Sequence, residues 1–255
     1  MALIGAAMCP HPVTLIPAVA GKTGEWERLR AACTDAVRQL NVPIWYLVGK
    51  AVPAADAAQL IVIVGGDDAT RSFDPAAAYG SLLSNGVLWR QGWSQEHPQA
   101  QPLPLSLTLG DWLLVKSRVG DTGVILADIA FQAIDFDASP QDCAALGRDL
   151  AGRAERVAML VMGEGSTSMT VTARRDHGDQ ATLCDNKVIQ ALEHADVEAL
   201  AGLGATPFAA SATGRAAWQV LAGAAQGHRF HGRSHWDEEL DGLRYFVASW
   251  TRRGG

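Results

Sequence analysis

The chain has 255 residues, 48% of them hydrophobic and 19% charged, which is a globular composition long enough for a large core. A formal net charge of -6 with scattered basic residues excludes the clustered basic face that nucleic acid requires. No apolar run approaches the roughly 20 residues that span a bilayer. Met1 to Ala7 lacks the basic start of a signal peptide, so a cytoplasmic protein with no nucleic-acid or membrane partner is expected.

Ala2 to Met8 is an apolar run that ends at Cys9-Pro10, and it predicts a buried, central, parallel strand. Three prolines keep residues 10–17 out of regular helix. From Thr23-Gly24-Glu25 onward, Trp26, Leu29, Ala32, Cys33, Ala36, Val37 and Leu40 recur at helical spacing. Val42 to Val52 reads as an inserted strand or an amphipathic turn. Leu60 to Val64 is a β-branched buried strand that runs into Gly65-Gly66-Asp67-Asp68.

Residues 91–104 read as loop, Ser106 to Val119 as helix, and Gly123 to Ile134 as a strand or strand pair. Ser139 caps a helix reaching about Arg153. Val157 to Met162 is another buried strand, ending at Gly163-Glu164-Gly165-Ser166. Residues 170–181 read as polar loop. Asp185 to His194 reads as helix, Asp196 opens a further turn, and Thr213 to Ala225 forms a helix around Trp218. Leu243 to Trp250 closes the chain as a strand. Strands alternate with helices, which predicts one domain over 1–255: a three-layer α/β/α fold with a central mixed, largely parallel sheet.

Three strand tips carry chemistry: Cys9-Pro10-His11-Pro12, Gly65-Gly66-Asp67-Asp68 and Gly163-Glu164-Gly165-Ser166. Parallel neighbours bring such tips to one carboxyl edge, where open α/β sheets bind ligands. An imidazole with carboxylates is a ligand set for divalent iron, zinc or manganese. Turn formation and helix capping are the competing roles for the same glycines and aspartates. The prolines beside His11 stiffen its approach, and Cys9 stands two residues away, where strand geometry turns the side chains apart. His228, His231 and His235 have the spacing of three and four that would put them on one helical face as a metal site, but Gly232 and the flanking arginines favour a loop or edge strand with solvated side chains. His177 falls in the polar loop and is a candidate to cover the mouth. The four cysteines, with no CxxC pair, read as free thiols.

The order of these tips resembles the class III extradiol ring-cleavage dioxygenases of the catalytic B-subunit type, in a divergent bacterial branch. The resemblance extends over Gly66-Asp67-Asp68-Ala69-Thr70-Arg71-Ser72-Phe73-Asp74, Pro104-Leu105-Ser106-Leu107, the stretch Leu160 to Ser166, Gly214 to Ala224, and Tyr245 to Trp250. It implies an Fe(II) held by two histidines and a glutamate, with a further histidine as acid and base. Carried across, His11 matches the first iron ligand and Asp68 stands where the second histidine belongs. The glutamate position falls at Gly214 or Arg215, and the acid/base position near Ser166 to Ser168. Glu164 or His177 is then the candidate to replace the lost ligand or base. Two readings follow: a divergent Fe(II) dioxygenase with an incomplete ligand set, or a non-catalytic module of the same fold that binds a small aromatic or organic-acid ligand. Either leaves a homo-oligomer open.

Overall fold

The computed structural model describes residues 2–21, 24–46, 56–92, 99–118, 123–165, 171–204, 214–241 and 243–253, with the backbone alone for 44–46, 118, 123 and 171–181. The elements in chain order are β1 (Ala2–Cys9), α1 (Pro17–Ala20), α2 (Glu25–Arg38), β2 (Ile44–Tyr46), β3 (Leu60–Asp67), β4 (Arg71–Phe73), β5 (Ala78–Ser81), β6 (Arg90–Gln91) and β7 (Gln101–Pro102). There follow α3 (Leu105–Arg118), β8 (Gly123–Ile125), β9 (Asp128–Asp135), α4 (Pro140–Ala151), β10 (Arg156–Met162), α5 (Val171–His194), α6 (Val197–Ala201), α7 (Arg215–Ala225), β11 (Phe230–Leu240) and β12 (Leu243–Arg252).

Seven strands form one mixed sheet in the order β11-β12-β1-β10-β3-β9-β4. The four central strands β1, β10, β3 and β9 run parallel, while β12, β11 and β4 are antiparallel additions at the two sides. Parallel strands covered on both faces read as continuous apolar runs, and Leu60 to Val64 and Val157 to Met162 do so. Alternate side chains leave these strands in opposite directions. Ile61, Ile63, Ala158 and Leu160 join a core with α2 and α3, whereas Val62, Val64, Val157 and Met159 join a second core with α4, α5 and α7. Each fully buried Leu, Ile or Val contributes roughly 1.5–3 kcal/mol, so both faces hold the sheet. Trp250 in β12 is fully buried and donates its indole N–H to the Leu192 carbonyl at 2.6 Å, tying the last strand to α5.

The predicted strands at 2–8, 60–64 and 157–162 and the predicted helices at 106–119 and 139–153 are all present. Ser139 caps α4 by accepting the Asp142 amide at 3.1 Å. Gly123 to Ile134 is a strand pair, but β8 joins β2 in a small sheet while β9 enters the main one. The undecided stretch after Val42 contributes β2, and residues 47–55 lie outside the described residues. Residues 91–104 are not wholly loop, because β6 and β7 flank β5 there.

Residues 171–181 are helix, not the polar loop expected from their composition. Their low apolar content removed the periodicity that signals a helix. Arg, Gln and Ala nonetheless favour helix, and no proline interrupts the segment. His231 and His235 lie in the edge strand β11 and His228 just before it, with His235 bonded through Nε2 to Ser249 Oγ at 2.8 Å.

Candidate functional site

Adjacency of β1, β10 and β3 places the three tips side by side. Cys9 is in register with Met162, and Met162 with Gly65. Gly163 N–H donates to the Cys9 carbonyl at 3.0 Å, extending the ladder beyond β10. His11 follows and is only 7% exposed. Its backbone N–H donates to Glu164 Oε1 at 3.1 Å, so the first and third tips are joined directly. Gly214 N–H in turn donates to the Glu164 carbonyl at 2.9 Å, which fixes the start of α7 to the same tip.

The middle tip is held from the α3 side. Ser106 donates its hydroxyl to the Gly66 carbonyl at 2.9 Å. A side chain at Gly65 would overlap Ser106, so glycine is required there for α3 to approach. Asp67 accepts two bonds from Arg71, at 2.7 and 3.1 Å, and the Arg71 guanidinium lies 4.9 Å from the Phe73 ring centre. Asp68 is exposed at the rim.

These tips open into a cleft of about 650 Å³, lined by His11, Asp67, Asp68, Ser106 and Glu164 together with residues from distant elements. Trp26 of α2 and Tyr245 of β12 stand edge to face, with ring centres 5.7 Å apart, and both line it. Asp241, in the turn between β11 and β12 with φ of 51°, reaches the same cleft. Aspartate tolerates that left-handed backbone better than most residues. His11 Nδ1 is buried and has no hydrogen-bond partner among the described residues.

Of the sequence-predicted site residues, His11, Asp68 and Glu164 are brought to one cleft. His177 sits in α5 rather than in a loop, and its side chain lies outside the described residues, as do Ser166 to Ser168. Arg215, at the position where the resemblance calls for a glutamate, is buried and turned to structure. Its guanidinium donates to the carbonyls of Phe136 and Ala138 and to Gln219 Oε1 at 2.6–3.1 Å. Cys9 packs toward α2, its thiol 4.0 Å from the Cys33 carbonyl, and forms no pair with His11. Burial pushes the Cys33 thiol well above its ordinary pKa, and Cys9 adds to the shift, so the Cys33 sulfur is not a ready nucleophile.

Sequence reasoning missed Trp26, Ser106, Asp241 and Tyr245 as site residues. Trp26 and Tyr245 read as core residues, and only the pairing of β12 with β1 reveals that they face one another beside His11. A second cavity of about 590 Å³ lies between α5, α6 and α7, lined by Asp185, Val188, Leu203, Arg215 and Trp218 among others. His11, Asp68 and Glu164 do not line it.

No family model matches the chain, and no curated protein does. Among solved structures, the uncharacterized protein JW3007 from Escherichia coli K12 is similar over 97% of this chain and 99% of its own, with a TM-score of 0.53 and 13% identity. At that identity the likeness shows a shared mixed α/β fold and nothing of the chemistry. Among the described residues no helix is long and apolar enough to cross a membrane.

Proposed function

We propose that the chain is a divergent member of the class III extradiol dioxygenase superfamily, a three-layer α/β/α protein whose carboxyl-edge cleft binds a small aromatic molecule. The observation that carries this reading is the convergence of the three family-like tips on one cleft, with His11 buried between them. A cleft of about 650 Å³ suits a small molecule, and it combines aromatic walls with a few polar groups.

The residues do not complete the iron site that the resemblance implies. Two imidazoles and a carboxylate are needed, and His11 is the one histidine among the described lining residues. Glu164 Oε1 is engaged by the His11 amide, and Asp68 lies at the exposed rim. Among the described residues no group of three histidine, cysteine, aspartate or glutamate side chains is gathered as a metal site.

A second reading, Fe(II) catalysis with His11 and Asp68 as ligands, draws on the unpartnered Nδ1 of His11. One experiment separates the two. Purified wild type and His11→Ala are loaded with Fe(II) without oxygen, then assayed for bound iron and for oxygen uptake with 4-methylcatechol. The binding reading predicts that 4-methylcatechol binds wild type without oxygen uptake. Iron retention and uptake that both vanish in His11→Ala would establish the catalytic reading instead.

A further inference from the structure

We propose that the cleft selects by charge, taking an aromatic ligand that carries an ammonium group in preference to an acid of the same shape. This rests on the reading of the cleft as the ligand site. Asp67, Asp68, Glu164 and Asp241 all line it, and none of its described lining residues is lysine or arginine. Arg71 offsets Asp67 by donating two bonds to its Oδ2, which leaves three carboxylates in a chain of net charge -6.

Acidic residues alone would mark no site, since surface carboxylates are ordinarily solvated. The His11 ring supplies an independent sign of a ligand. It is only 7% exposed, it lines the cleft, and among the described residues its ring has no hydrogen-bond partner, which buried polar groups almost always have. A neutral imidazole accepts a hydrogen bond through one nitrogen and donates through the other, so a ligand N–H or O–H that reaches the ring from the cleft would supply a partner. The Trp26–Tyr245 wall adds a third element. The faces of such rings attract ammonium groups, and their surfaces cover an aromatic ring. A carboxylate ligand would meet like charges and, among the described lining residues, no lysine or arginine with which to pair, which is how a site rejects the wrong partner.

The test uses the full chain and three probes: 2-phenylethylamine, 3-phenylpropanoate and neutral 4-methylcatechol, titrated by calorimetry. The amine should bind at least about tenfold tighter than the acid, and the ratio should shrink in about 0.5 M salt. Asp68→Asn and Asp241→Asn change exposed side chains and should leave the thermal midpoint in place while weakening the amine severalfold. Equal affinity for amine and acid, a preference for the acid, or amine binding indifferent to both variants overturns the proposal. If 4-methylcatechol binds and the charge preference is absent, selection by charge fails while the cleft reading stands. If the amine binds as described and 4-methylcatechol does not, selection by charge stands and the catechol reading falls.

Discussion

Gly65 and Ser106 meet so closely that no side chain fits at 65 while serine stands at 106. A methyl group at 65 overlaps the Ser106 side chain, and the Ser106 hydroxyl holds the Gly66 carbonyl beside the cleft. Gly65→Ala should cost about 1–3 kcal/mol through overpacking, read as a lower urea midpoint. Ser106→Gly in the same chain should recover part of that loss despite being destabilising by itself. A double variant no more stable than Gly65→Ala alone would show that the contact is not the cause. His235 gives a pH test at the same scale. Burial holds its pKa below the ordinary histidine value, the Arg233 charge adds to this, and Asp35 opposes it. The unfolded chain therefore takes up the proton at higher pH than the folded one. Stability is fully present above the unfolded value near about 6.5 and declines as pH falls through the folded value. His228 is shifted in the same direction, first by burial and then by Arg252. The urea midpoint should fall between about pH 7.5 and about pH 5.5, and His235→Gln should reduce that fall. An unchanged fall in the variant would assign the effect elsewhere.

Among the elements, α4 and α7 cross at glycines. A side chain at Gly147 would overlap the Val220 carbonyl, and one at Gly223 would overlap the Ala144 backbone. The obstacle is main chain in both cases and cannot swing aside. Gly223→Ala should destabilise by more than about 2 kcal/mol, because α7 must move away from α4. A change within about 0.5 kcal/mol would mean that the helices adjust freely. The elements differed in how plainly they could be read. β3 and β10 were legible because central parallel strands need apolar side chains on both faces. α4 was legible through Ser139 and its helical period. The first half of α5 was not, since a helix without an apolar stripe leaves no period to detect. β11 was only half legible, because its outward residues are those of an exposed edge, including His231 and Glu239.

At the scale of the whole molecule, the strand order decides what the site is. His11, Asp68 and Glu164 could be anticipated together because each follows a buried strand, and neighbouring parallel strands end at one edge. Trp26, Asp241 and Tyr245 could not, because their approach depends on β12 pairing with β1 from the far end of the chain. The same order separates the cleft from the second cavity between α5, α6 and α7. Backbone-amide NMR with 4-methylcatechol tests most directly which of the two serves a ligand. The account predicts that the largest shifts fall on His11, Val13, Asp67, Asp68, Glu164 and Tyr245. Shifts confined to Asp185, Val188, Leu203 and Trp218 would contradict it and move the site to the helical cavity.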